Sequence, residues 1–319
     1  AVVTGVPDGA EAHVLAQLVA SRPAGLAAVF VARDAQHARL VSDALGYFAP
    51  GLDLLDFPAW DCLPYDRVSP NAGIVARRLG TLSRLARPET LEKPTLLVTT
   101  VNAILQRVPE RAFAASQTWR LAPGQRIDLS KLIHWLEING FARASTVQDT
   151  GEYAVRGGIV DVYAPGMDAP VRLDFFGDSL ESLRSFDTET QRTTKQLKGL
   201  ELVAMSEAVL SEEAISRFRT RYVSQFGASD RDDVLYQSIS DGRRYPGMEH
   251  WLPLFHERLE TIFDYAPGAL ITLDAQVEEA RKARLELIQD YYEARAEARK
   301  TGRDAKLASE APSYKPLPP

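Results

Sequence analysis

Residues 4 to 16, TGVPDGAEAHVLA, have the outline of a phosphate-binding loop entering a helix, a motif that needs the spacing Gly-x-x-x-x-Gly-Lys-Ser/Thr. In a working loop the glycines let backbone N–H groups surround the phosphates, the lysine reaches the β and γ oxygens, and the hydroxyl holds magnesium. Gly5 and Gly9 are present, but Ala10 stands in place of the second motif glycine, Glu11 in place of the lysine and Ala12 in place of the hydroxyl. A carboxylate about 4 Å from a phosphate charge repels it by roughly 4 kcal/mol per unit charge at an effective dielectric near 20, so nucleotide binding at this loop is not expected. Asp8 and Glu11 instead fit a capping box, in which carboxylates take the orphan amides of the helix start. The alternative is that Gly5 and Gly9 are ordinary turn glycines and the loop never bound phosphate. The apolar run LITLDAQ bears on that choice. Nucleotide hydrolases of this class end such a strand on an Asp for magnesium and a Glu that polarises water. Here Asp274 is followed by Ala275, and two sites altered in matching ways favour an ATPase fold that has lost its chemistry.

A second candidate lies in VRLDFF, where period-two alternation sends Val171, Leu173 and Phe175 to one face and Arg172, Asp174 and Phe176 to the other. The first face is expected in the core. The second sets a cation beside an aromatic ring, a pairing enriched at protein-binding hot spots. Straight alternation groups Arg156 with Val160 and Val162, although Gly157-Gly158 can host a bulge that re-aims it. A purely structural role is also open, with Arg156 and Arg172 paired to Asp161 or Asp174 across the hairpin.

Other chemistry is thin. His13, His37, His134, His250 and His256 lack metal-ligand spacing with Cys62 or carboxylates, so no metal site is expected, and His250 and His256 around WLPLF are expected at core and rim. No Gly-x-Ser-x-Gly nucleophile elbow occurs. Arg77, Arg78, Arg84 and Arg87 recur near helical spacing and are assigned to a solvated helix face rather than a nucleic-acid contact. Trp60 and Tyr65 have no basic cluster interleaved with them, so they are expected to pack or brace a loop rather than stack on bases.

The elements that must position these residues form a clear rhythm. Over the first 115 residues short apolar runs alternate with helical patterns, as in LAAVFVAR, AQHARLVSDALGYF, LDLLDFP and TLLVTTVNAIL, which predicts a parallel sheet covered by helices. From about residue 118 the texture changes: a strand and a helix capped by Asp128 and stopped by Gly140 lead into GEYAVRGGIVDVYAPGMDAPVRLDFFGDSLESLRSFD, expected to hold three antiparallel strands. Helices resume after residue 206, and GALITLDAQVEEARKARLEL predicts a buried strand returning to the first sheet, then a long solvated helix over 276–308. The predicted fold is therefore α/β: a degenerate P-loop, helicase-like parallel-sheet domain in two pieces, 1–117 and 207–319, interrupted by a smaller α+β domain at 118–206.

Bulk properties agree with a globular chain of two or three units: 319 residues, 45% hydrophobic, 25% charged, net charge −6. That charge does not advertise a nucleic-acid surface. One cysteine and no apolar stretch long enough to span a bilayer point to a cytoplasmic protein without a membrane partner. The AVVTGV opening and the SYKPLPP ending look like cuts in a longer protein.

FPAWDCLPYDRVSP (57–70), GEYAVRGGIVDVYAPG and RLDFFGDSLESLRSFDTETQRT together resemble the amino-terminal region of bacterial transcription-repair coupling factors, over about residues 1–265. More distantly they resemble UvrB, the damage-binding component of the bacterial nucleotide-excision nuclease, whose first domain keeps an intact phosphate loop. The resemblance implies a degenerate copy of the first domains of UvrB, without ATPase activity or a cofactor of its own. It implies that the region recruits the excinuclease component UvrA to a stalled transcription complex and is masked by the protein's own C-terminal region until the translocase part is engaged. Positions that hold UvrA in the family match Arg156, Arg172 and Phe176. ATP and magnesium, RNA polymerase and double-stranded DNA would be engaged by motor and other domains downstream. The tyrosine-rich hairpin with which UvrB grips damaged DNA is reduced here to the short segment carrying Trp60 and Tyr65. Two competitors are a nucleotide-binding, damage-binding component of an excision nuclease and a regulatory module that contacts only the rest of its own chain.

Overall fold

Strands buried on both faces read as unbroken apolar runs, and LAAVFVAR and TLLVTT are such runs. The structure, a computed structural model, describes residues 5–6, 9–63, 65–227, 233–300 and 317. It divides into two units: Ala1–Trp60, Thr81–Ala115 and Glu260–Leu287 form the first, and Asp61–Gly80, Ser116–Leu259 and Ile288–Pro319 the second.

Among the described residues of the first unit four parallel strands lie in the order Leu270–Leu273, Gly25–Ala32, Pro94–Thr100, Asp53–Phe57. Val29 pairs with Ile271 on one side and Leu97 on the other, so the late LITL segment does rejoin the early strands, but with Ile271 and Leu273 exposed it is not the buried strand expected. Helices Glu11–Ala20 and Ala35–Phe48 place Leu15, Val19, Val41 and Leu45 into one core with Phe30, Leu96 and Val98. The expected opening strand AVVT and Asp8 lie outside the described residues.

The second unit contains a six-stranded sheet, ordered Thr193–Leu197, Ser179–Phe186, Val171–Phe176, Ile159–Val162, Glu152–Arg156, Ala142–Arg143. Its pairs are antiparallel except the last, Ala142–Arg143 with Glu152–Arg156, which is parallel. The segment expected to hold three strands therefore holds four. Gly157-Gly158 makes neither a bulge nor a continuous strand but a two-residue hairpin turn between the paired Arg156 and Ile159. Gly157 has φ 61°, positive at the first central position as a tight hairpin needs. A Cβ on Gly158 would stand 2.6 Å from the Phe175 carbonyl oxygen, so only glycine lets the next strand approach. Helix Leu129–Ile138 begins as expected, with the Asp128 carboxylate accepting from the Ser130 and Lys131 amides, and Gly140 follows it at φ 91°.

Residues 207–259 also belong to this second unit. Helix Glu212–Phe226 packs Phe218 on Phe255 at 4.9 Å between ring centroids, and the surrounding core includes Tyr222, Trp251, Leu235 and Ile239. The interior also holds a buried ion pair. Arg78, fully buried, donates from Nε to Glu207 Oε1 at 2.6 Å and from Nη2 to Oε2 at 3.3 Å, and His256 Nε2 donates to the Glu207 carbonyl at 2.7 Å. This corrects the expectation of a solvated arginine face. Helix Ala72–Leu85 buries Arg78 along with Val75 and Leu79, while Arg84 pairs with Asp53 at 2.5 Å and Arg87 donates to the Ser83 carbonyl.

Tyr65 packs on Tyr292, 5.6 Å between centroids, and burial pushes its hydroxyl up to about 12. Trp60 donates its backbone N–H to Gln106 Oε1 at 3.2 Å. Tyr65 therefore packs as expected. His256 is in the core, and burial holds His250 below the usual imidazole range. The charged helix runs Val277–Lys300, with Leu285 exposed; the remainder of the expected 276–308 span, apart from Gln276, lies outside the described residues.

Candidate functional site

Two clusters contain the residues singled out above, one in each unit. In the first unit the helix Glu11–Ala20 starts from Ala10, which is itself near-helical (φ −87°, ψ −5°) and makes no side-chain cap. Asp8, the other half of the expected capping box, lies outside the described residues; Glu11 reaches His37, whose Nε2 lies 2.8 Å from Glu11 Oε2. The same nitrogen lies 3.3 Å from Asp274 Oδ2. Asp274 sits at the end of strand Leu270–Leu273, fixed by its own amide to the Val31 carbonyl, and also accepts from Arg33 Nη1 at 3.3 Å and from the Gln276 amide at 3.0 Å.

Glu11 and Asp274, the residues that the sequence reading set at the lysine and magnesium positions of a phosphate-loop motif, are therefore joined through one imidazole, with an arginine on the far carboxylate. Ala12 is buried in the core and Ala275 offers no carboxylate. Gly5 and Gly9 have φ values of 75° and 84°, and among the described residues nothing lies within 4 Å of a Cβ on either. Sequence alone does not point to His37 as a partner, because nothing in it links residues 11, 37 and 274. The position of His37 follows from Asp34, whose side chain caps helix Ala35–Phe48 by accepting from the His37 amide at 2.7 Å and sets that first turn.

In the second unit the alternation of VRLDFF holds: Val171, Leu173 and Phe175 are buried, and Phe176 is 81% exposed. Asp161 is fully buried and holds two arginines. Arg172 grips it bidentately, Nε to Oδ1 at 2.7 Å and Nη2 to Oδ2 at 2.8 Å, and Arg156 Nη2 donates to Oδ2 at 2.5 Å. The hydrogen bonds to Asp161 raise the already high pKa of Arg172, so its charge is permanent. The Arg172 guanidinium also lies 4.8 Å from the centroid of the Phe186 ring. Asp174 takes a different partner, Arg184, at 2.7 Å.

Arg156 does not share a face with Val160 and Val162. The two-residue turn reverses the parity expected for one continuous strand and sets Arg156 on the Asp161 face with Arg172 and Phe176. That face thus carries a half-exposed cation, a more enclosed one and a bare phenyl ring, all fixed to strands. Such an arrangement suits a protein partner: the arginines are oriented before contact, and the ring has apolar area to bury. Sequence does not single out Phe186 and Arg184, since cross-strand neighbours depend on register. Among the described residues no group of three or more His, Cys, Asp or Glu side chains is arranged to hold a metal ion, and no helix is long and apolar enough to cross a membrane.

Residues 119–207 match the UvrB interaction domain family. The chain is 34% identical over 254 residues to the transcription-repair-coupling factor of Rickettsia bellii (strain RML369-C), covering 80% of this chain and 22% of that protein. It is 34% identical over 265 residues to the transcription-repair-coupling factor of Escherichia coli (strain K12), covering 83% and 23%. With that of Myxococcus xanthus it shares 34% over 275 residues, covering 82% and 22%. The chain thus spans less than a quarter of the length of the curated relatives it matches. By these matches the chain is similar to part of the bacterial transcription-repair-coupling factors, and its residues 119–207 are similar to the UvrB interaction domain family.

Proposed function

We propose that this chain is the docking module of a transcription-repair coupling factor, and that its inserted domain, residues 118–206, recruits the excinuclease component UvrA through Arg156, Arg172 and Phe176. The observation that carries this reading is Phe176, 81% exposed on a strand whose neighbouring arginines are both anchored on the buried Asp161. A phenyl ring held on a strand beside oriented arginines offers a partner apolar area to bury at little ordering cost. The first unit is a P-loop, helicase-like fold that has become a scaffold. Its residues do not fit a magnesium triphosphate, because Glu11 and Asp274 already engage His37 and the hydroxyl position is the buried Ala12. In the longer protein this module is masked by the C-terminal region, and ATP, magnesium, RNA polymerase and double-stranded DNA are handled by downstream domains acting as a translocase. The competing reading, a nucleotide-binding and damage-binding component of an excision nuclease, has no such fit in its favour.

The test is a titration of the chain with purified UvrA. Phe176→Ala is the informative variant, since an exposed ring contributes little to folding. Loss of a hot-spot aromatic costs about 2 kcal/mol or more, so affinity should fall about thirtyfold with an unchanged melting temperature. Equal affinity in wild type and variant would remove Phe176 from the site, and no binding by the wild type would reject recruitment.

A further inference from the structure

We infer that the docking face extends sideways from Phe176 into a basic groove at Trp119, Arg120, Arg126 and Lys131, and that this groove takes an acidic segment of the same protein partner. The inference rests on the proposed recruitment of UvrA and names a further part of that contact. The sheet's own register leads there. Phe176 pairs with Ser179 across the Gly177-Asp178 turn, and Ser179 in turn bridges Arg126. The bridge is secured by the Leu180 amide on the Gln125 carbonyl at 2.9 Å and the Ile127 amide on the Asp178 carbonyl at 2.7 Å. Directly paired residues point to the same side of a sheet, so Phe176, Ser179 and Arg126 form one row. At about 4.8 Å per strand, Arg126 stands about 10 Å from Phe176, within the footprint of one partner element.

Beyond Arg126 the surface opens into a groove of about 430 Å³, lined by Trp119, Arg120, Gln125, Ile127, Asp128 and Lys131 in addition to Arg126. Of the three nearby carboxylates two are already engaged, Asp128 by the Ser130 and Lys131 amides and Glu201 by Arg120 at 2.7 Å, while Asp178 is exposed at the Gly177-Asp178 turn. Arg126 and Lys131 are exposed, and among the described residues neither makes a side-chain ion pair. Two uncommitted cations beside a half-buried indole suit a carboxylate-bearing strand or loop, with the ring bordering its apolar part. A phosphodiester backbone fits less well, because Asp128, Asp178 and Glu201 interrupt the positive charge along the path it would follow.

The experiment compares the whole chain with Arg126→Glu/Lys131→Glu in titrations against purified UvrA at low and high salt, with Phe176→Ala in parallel. The double variant should bind about tenfold more weakly at low salt and lose most of the wild type's salt dependence, as reversing charges opposite an acidic surface requires. Phe176→Ala should weaken binding yet keep that salt dependence. A double variant that matches wild type in affinity and salt response, while Phe176→Ala is impaired, would show the groove idle and leave the docking reading standing. Failure of the wild type to bind would remove both. Retained UvrA binding with loss of short-duplex DNA binding would overturn the inference in favour of a nucleic-acid contact. Both side chains are exposed, so melting should be unchanged; Arg126→Ala/Lys131→Ala serves if the charge reversal perturbs it.

Discussion

Asp161 is fully buried yet charged, and it is tolerated because hydrogen bonds from both Arg156 and Arg172 converge on its carboxylate oxygens. Asp161→Asn keeps the shape and removes the charge that orients both guanidiniums. Hydrogen bonds to a charged group are worth about 1.5–3 kcal/mol, so the variant should lose roughly that much stability in urea unfolding, and UvrA affinity should fall even though no proposed contact residue has been changed. An unchanged unfolding midpoint would mean that the arginines are held by other contacts. Part of this cluster was legible in sequence. Arg172 and Phe176 followed from strict alternation in VRLDFF, whereas the face of Arg156 depended on whether Gly157-Gly158 turned the chain or merely kinked it, and glycine permits both.

At the scale of elements, the strands Gly25–Ala32 and Pro94–Thr100 were legible because their apolar runs are buried on two faces, as the fully buried Val29, Leu96 and Leu97 show. Helix Ala72–Leu85 was legible as a helix, but its polar face was misjudged. A charge is ordinarily a sign of solvent, and only the fold brings Glu207, 129 positions away, onto Arg78. Removing one member of such a buried pair leaves the other uncompensated. Arg78→Met should therefore cost about 3–5 kcal/mol, measured as a fall in the denaturant midpoint, and adding Glu207→Leu should restore much of the loss because the stranded carboxylate is gone. A double variant no more stable than the single one would show that the pair's hydrogen bonds, rather than charge compensation, hold the helix in place.

For the molecule as a whole, the question is whether the first unit still answers to nucleotide. The destination of Glu11 was not legible, since Asp8 is its neighbour in sequence and His37 its partner in space. Triphosphate would have to displace an imidazole from two carboxylates and then meet their repulsion without a lysine. A ligand present at about a hundred times its Kd stabilises the folded state by about 2.7 kcal/mol, which would raise the melting temperature of a unit this size by several degrees. Millimolar magnesium-ATP is expected to leave the melting curve of the chain unchanged. Glu11→Lys should lower stability slightly by breaking the contact with His37, yet gain no nucleotide response, because Ala10, Ala12 and Ala275 still lack the other parts of the site. A magnesium-dependent rise in melting temperature with ATP in the wild type would instead return the chain to the class of nucleotide-binding repair proteins, and the scaffold reading of its first unit would have to be abandoned.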